Sequence, residues 1–228
     1  MKTRLSLVLL LLGVAAQVFV HAQGQVRLLR PGTFLIDPPR LQASEQWYAL
    51  HRAGDRRNLS RVVPTVRAAP PICGDRATQV SLAGVDGVLF LITGLQKLSE
   101  GPVVTTIAEP RFLYPGEEID IGVRPQDGYR LEALGRAIRE VGGFVLTDYT
   151  LWVRHRQQVH AVASFARATP DHPRRVVWAG DVDRDLRPDL LFDFPLGDVG
   201  HHYVLFLSSA ATGEQLVSQV AVFSTPGC

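Results

Sequence analysis

The stretch FVLTDYTLWVRHRQQVHAVASF, residues 144–165, decides the fold class. Apolar residues alternate with polar ones on both sides of its central RHRQQ segment. The alternating positions are Tyr149, Leu151, Val153, Val159, Ala161 and Ala163. A period of two places these side chains on one face of a strand. The stretch therefore predicts a hairpin of two half-buried antiparallel strands.

Further strand patterns extend outward from this hairpin in both directions. TQVSLAGVDGVLFLITG, residues 78–94, has a Gly-Val-Asp-Gly turn between two apolar runs, and HHYVLFLSS, residues 201–209, precedes QLVSQVAVFS, residues 215–224. Turn residues recur about every ten positions, which is typical of antiparallel sandwiches and barrels. We therefore expect an all-β or β-dominated fold with sandwich-like or barrel-like sheets.

One segment favours a helix. GYRLEALGRAIREVGG, residues 128–143, places Leu131, Leu134 and Ile138 at helical spacing and ends in two glycines. The same segment begins with alternating apolar residues, which suits a strand that turns at Gly135. We expect a short helix near residues 135–141, with the strand as the alternative.

The N-terminal residues have the pattern of a secretory signal. Lys2 and Arg4 precede an apolar run from Leu5 to Val20. The run ends in Val20-His21-Ala22, which leaves small residues at the positions that a signal peptidase reads. The run is shorter than the roughly 20 residues that span a bilayer, which argues against the alternative of an uncleaved anchor. We expect a signal peptide over residues 1–22, cleavage near Ala22, and a secreted or periplasmic protein.

The remaining residues, 23–228, predict a single β-rich domain, with two lobes divided near residue 125 as the alternative. No later apolar run is long enough to cross a bilayer, so we expect no membrane span in the mature chain. Loss of the signal would remove two of the 24 basic residues and none of the 22 acidic ones. A neutral chain with dispersed arginines has no electrostatic footprint for nucleic acid. The sequence does not identify a partner. A carbohydrate or a protein surface would be compatible with a chain of neutral charge.

Two cysteines, Cys73 and Cys228, follow the expected cleavage point. An exported chain with two cysteines has a single intramolecular pairing available. We therefore expect a Cys73–Cys228 disulfide, with two free thiols as the alternative.

The segment AGDVDRDLRPDLLFD, residues 179–193, has aspartates in the one-three-five-nine spacing of a calcium loop. Calcium takes six to eight oxygen ligands, and such a loop supplies them from alternate positions. Phe192 stands where a helix-flanked loop carries its bidentate glutamate, so we expect a loop that leads into a strand instead. The predicted ligands are Asp181, Asp183, Asp185, the backbone carbonyl of Arg187, Asp189 and, as an addition, Asp193.

This segment is similar to the calcium loop of FG-GAP and related β-propeller-type repeats, whose usual form is Gly-Asp-x-Asp-x-Asp-Gly-x-x-Asp-Leu. The C-terminal stretch from WAGDVDRDLRPDLLFD to the final GC also resembles a group of secreted bacterial proteins of uncharacterised function. The first resemblance covers about 13 residues and implies a local ligand geometry. The second implies export and a β-rich domain, and it brings no activity with it.

The loop departs from that form at one position, and it carries two basic residues at positions that the form leaves open. Leu186 replaces the glycine that usually accepts a positive φ at position six. Arg184 and Arg187 place two positive charges beside the aspartates, which would weaken attraction for a cation. The interpretations left open are a bound calcium ion, another metal, and a metal-free loop in which the arginines partly replace the ion.

Catalytic templates are missing from the sequence. It has no Gly-x-Ser-x-Gly elbow, no His-Glu-x-x-His motif and no phosphate-binding glycine loop. His201 and His202 would point to opposite faces of a strand, so they could not both bind one metal. We predict no catalytic residue and expect a binding or structural protein. The alternatives are a secreted hydrolase that uses the aspartate cluster with His201 or His202, and a carbohydrate-binding or adhesion module.

Overall fold

A computed structural model describes residues 25–36, 39–140, 143–168, 174–196 and 200–227. These residues form strands connected by turns, and no helix occurs among them. The strands are β1 (Arg27–Leu29), β2 (Gly32–Phe34), β3 (Trp47–Ala53), β4 (Arg56–Val62), β5 (Thr65–Ile72), β6 (Asp75–Ser81), β7 (Val88–Thr93), β8 (Gly101–Ile107), β9 (Arg111–Phe112), β10 (Glu118–Asp120), β11 (Tyr129–Glu140), β12 (Gly143–His155), β13 (Gln158–Ala168), β14 (Arg175–Asp181), β15 (Asp189–Leu196), β16 (Gly200–Leu207) and β17 (Ser218–Thr225). The expectation of an all-β fold is confirmed.

The largest sheet is antiparallel and nearly closes on itself. Its strands follow the order β1-β7-β3-β4-β8-β14-β15-β16-β17, and β9 pairs with β14 beside this path. The terminal strands β1 and β17 lie close together, which gives the sheet its barrel-like form. Strands from both sides of residue 125 therefore share one sheet.

Two smaller antiparallel sheets accompany the barrel-like sheet. One has four strands in the order β10-β11-β12-β13, and the other has three in the order β2-β6-β5. The hairpin that the alternation at residues 144–165 predicts is formed by β12 and β13, with Tyr149, Leu151 and Val153 fully buried or nearly so.

Strand β15 is buried on both of its faces. Leu191 belongs to one core with Phe90 and Trp178, whereas Leu190 and Phe192 belong to a second core shared with the four-stranded sheet. A strand that packs on both sides requires a nearly continuous apolar run rather than strict alternation. This requirement explains the LLF sequence that follows the aspartate loop.

The predicted helix near residues 135–141 is wrong, because residues 129–140 are strand β11. Its backbone pairs with β12, and a bulge lies between Leu134 and Arg136. Gly135 occupies the bulge with φ +153, and a Cβ there would lie 3.1 Å from the carbonyl oxygen of Thr147. Beyond the bulge Ile138 is 45% exposed, so its helical spacing reflects no buried face.

Several expectations fall wholly or partly outside the described residues. The expected signal peptide, residues 1–22, lies there, and so does Cys228, so the disulfide stays a prediction. Within the part of the chain that the structure describes, no helix is long and apolar enough to cross a membrane.

Candidate metal centre

The aspartate loop is the connection between strands β14 and β15. Asp181 is the last residue of β14, Asp189 is the first of β15, and Gly180 pairs with Asp189 across the hairpin. Strand β8 approaches closely on the other side. A Cβ at Gly180 would lie only 2.2 Å from the carbonyl oxygen of Val104, so only glycine fits before Asp181.

Three of the predicted ligands converge in this loop. One carboxylate oxygen each from Asp181, Asp183 and Asp189 lies within 4.8 Å of the others. The three side chains, here called the triad, are 3%, 7% and 0% exposed. A buried group of three carboxylates could hold a metal ion, because carboxylate oxygens are ligands for hard cations.

Backbone amides of the loop and of Ser208, which follows strand β16, bind two of the triad carboxylates. Asp181 accepts hydrogen bonds from the amides of Asp185 and Leu186, each 3.0 Å long. Asp189 accepts from the amides of Val182 at 2.8 Å and Ser208 at 3.0 Å. These bonds fold the loop around the carboxylates and fix both side chains in place.

Asp183 differs from its two partners in having an unsatisfied oxygen. Its Oδ2 accepts a hydrogen bond from the Ser209 hydroxyl. Its Oδ1 is buried and has no hydrogen-bond partner among the described residues. A buried carboxylate oxygen without a partner is costly, so this atom could accept a ligand such as a cation.

Burial raises the pKa values of all three triad carboxyls. The pKa of Asp189 lies well above its usual range, because the side chain is fully buried and Asp183 adds like charge. Burial is also the first cause of the raised pKa values of Asp181 and Asp183, and the charge of Asp185 raises both further. A cation would relieve this cost at neutral pH.

Leu186 adopts the backbone conformation expected at position six. Its φ is 66°, and Arg184 is also left-handed with φ 62°. The loop therefore keeps its sharp turn without glycine, at a cost of roughly 1–2 kcal/mol for such a residue.

The two arginines of the loop bind groups outside the triad. The guanidinium of Arg184 donates to the carbonyl oxygens of Ser99 at 3.1 Å and Glu100 at 2.8 Å. Arg187 donates from its amide and its guanidinium to Asp185. Arg187 thus pairs directly with Asp185, and its charge offsets only part of the rise in the Asp183 pKa.

Asp185 lies beside the triad and is connected to it through a serine. The Ser208 hydroxyl lies 3.0 Å from one Asp185 oxygen and 3.2 Å from Oδ1 of Asp189. Ligation by Asp185 and by the carbonyl of Arg187 stays a prediction.

Asp193 is not brought to the triad. This buried carboxylate accepts a hydrogen bond from Arg175 at 2.9 Å, and the Nδ1 atom of His201 lies 2.9 Å from it. His202 instead contacts the hydroxyl of Ser224 at 2.7 Å. Asp198, a further acidic residue of this region, lies outside the described residues.

Ser208 and Ser209 are the parts of the site that the sequence did not indicate. They follow strand β16, and Ser209 lies 26 positions from the aspartate that it contacts. A local spacing pattern carries no information about such a contact, so only the pairing of β15 with β16 reveals it.

Comparison with protein-family models, with curated proteins and with solved structures found no match to this chain. The resemblance of the loop to FG-GAP-type calcium loops stays a prediction from its aspartate spacing.

Proposed function

We propose that this chain is an exported, β-rich binding or structural protein whose β14–β15 loop holds a structural calcium ion. The observation that carries the proposal is the buried Oδ1 of Asp183, which has no partner among the described residues and lies within three converging carboxylates. Export is supported by the charged and apolar pattern of residues 1–22.

Calcium suits the chemistry of the ligands better than other common metals. The cluster among the described residues consists of carboxylates and contains neither histidine nor cysteine, the ligands typical of zinc sites. Magnesium demands near-ideal octahedral geometry and usually keeps several waters. Calcium accepts irregular sets of oxygen atoms, and the buried backbone-bound carboxylates offer such a set.

The position of the site supports a structural role. The loop joins two strands, and β15 packs into both cores of the protein. An ion that binds only the folded loop stabilises the whole domain, by about 2.7 kcal/mol at a hundredfold excess over its dissociation constant.

Thermal melts in calcium and in chelator test the proposal. Millimolar calcium should raise the Tm of the wild type, and Asp183→Asn should abolish that shift. Asp193→Asn is the matched control, because it removes a buried aspartate of the same hairpin that binds Arg175 and His201. Its Tm should fall in both buffers with the calcium shift retained. An unchanged wild-type Tm in calcium, or an equal shift in Asp183→Asn, would contradict the proposal.

A further inference from the structure

A cavity of about 290 Å³ opens beside the metal centre. Asp183 and Asp185 line it from the loop, and Ser209 lines it from the segment after β16. The segment that follows strand β7, including Gln96 and Lys97, also lines it.

The ion would need ligands that the triad does not supply. Calcium takes about six to eight oxygens, whereas the three convergent carboxylates contribute one well-placed oxygen each. Asp189 is fully buried, and its two oxygens accept hydrogen bonds from the amides of Val182 and Ser208. An additional ligand therefore cannot reach the ion from the side of Asp189. Asp183 lies at the boundary of the cavity, which leaves that side for additional ligands.

The other walls of the cavity indicate what kind of molecule fits. Leu95, Leu207 and Val220 form apolar surface that favours an organic skeleton over a bare inorganic ion. Its volume of about 290 Å³ lies just below the roughly 300–1,000 Å³ typical of ligand pockets, which suits a molecule the size of one sugar ring.

Lys97 is the one basic residue among the described residues that line the cavity. It is the only lysine after Lys2 in the whole sequence. Asp185, which also lines the cavity, is already paired with Arg187, with 2.8 Å between the charged atoms. Lys97 lines the same cavity as the loop aspartates, and its positive charge favours a ligand with a carboxylate.

We propose that this cavity binds a hexuronate or a similar hydroxy-carboxylate of one sugar ring, whose oxygens complete the coordination of the calcium ion while its carboxylate contacts Lys97. The inference rests on the proposed function, since it requires the ion.

Isothermal titration calorimetry with D-galacturonate tests the inference. We expect the wild type to bind galacturonate in calcium and to lose that binding in EDTA. Galactose, which lacks the carboxylate, should bind at least tenfold more weakly. Lys97→Gln should lose galacturonate binding by a similar factor while its calcium-dependent Tm shift stays unchanged.

The outcomes separate the two proposals. A calcium-dependent Tm shift without galacturonate binding at about 10 mM would overturn the ligand assignment and leave the calcium site standing. Equal binding in EDTA, or equal binding by Lys97→Gln, would also overturn the assignment. Loss of the Tm shift itself in the wild type would remove both proposals.

Discussion

Ser209 donates a hydrogen bond to Oδ2 of Asp183 across 26 positions of sequence, while Oδ1 of the same carboxylate is buried without a partner in the described structure. One oxygen is thus held in place by the protein and the other is left for a ligand. Groups that orient a metal ligand in this way commonly change metal affinity by about 10–100-fold when removed.

Ser209→Ala should therefore weaken calcium binding by about tenfold, because the Asp183 side chain loses the contact that orients it. Ser224→Ala is a matched control, since it removes a serine hydroxyl that contacts His202 away from the loop. Calcium titrations of both variants measure the effect, and equal affinities in the two variants would contradict it.

Asp183→Asn should make the metal-free protein more stable at pH 7. The substitution removes one charge from a crowded buried cluster and replaces the unpartnered oxygen, whose burial costs on the order of 1–3 kcal/mol. Urea unfolding in EDTA measures the gain. A variant less stable than the wild type in EDTA would show that the carboxylates are satisfied without an ion.

The difference in stability between Asp183→Asn and the wild type in EDTA should also depend on pH. Burial raises the pKa of Asp183 in the folded protein, so the native state binds more protons than the unfolded state. The wild type in EDTA therefore gains stability as pH falls from 7 through the raised pKa towards about 3.9, the unfolded value. The stability difference between Asp183→Asn and the wild type should shrink over this range, and a constant difference would argue against a raised pKa.

Leu186→Gly should relieve strain in the loop. Leu186 has φ 66° and is 52% exposed, so the change removes a left-handed residue with little buried contact. Relief of roughly 1–2 kcal/mol exceeds the added entropy of an unfolded glycine, about 0.5–1 kcal/mol, so stability should rise slightly. Leu134→Gly, at a partly exposed strand position, should lower stability by about 1 kcal/mol. If Leu186→Gly lost as much stability as Leu134→Gly, the claim that the Leu186 backbone is strained would be contradicted.

His160 gives a second, independent pH effect. Its Nδ1 accepts a hydrogen bond from the Leu216 amide at 3.4 Å, and burial lowers its pKa. The neutral ring therefore adds to the free energy of unfolding at pH values above its unfolded-state pKa of about 6.5. This stabilisation is lost as pH falls through the lowered pKa of the native state. His160→Gln should flatten the change in Tm between pH 7.5 and 5.5, and an unchanged slope would exclude this role.

Local patterns predicted much of the fold and part of the site. Alternation at Tyr149, Leu151 and Val153 predicted the β12–β13 hairpin, because a period of two is enforced wherever one face is buried. The aspartate spacing predicted that Asp181, Asp183 and Asp189 converge, because a tight loop turns alternate side chains inward.

Contacts between distant segments could not be predicted in the same way. The helical spacing at Ile138 predicts a helix, but the residue lies in a strand. The long pairing of β11 with β12 supplies hydrogen bonds to the backbone there and outweighs the local preference for a helix. The binding of Arg184 to Ser99 and Glu100 also depends on the approach of the segment before β8 to the loop.

Calcium titration calorimetry on the metal-free protein measures directly whether the β14–β15 loop binds an ion. We expect one calcium ion bound per wild-type chain, with binding lost in Asp183→Asn and retained in Asp193→Asn. The absence of calcium binding in the wild type, or equal binding in Asp183→Asn, would contradict it.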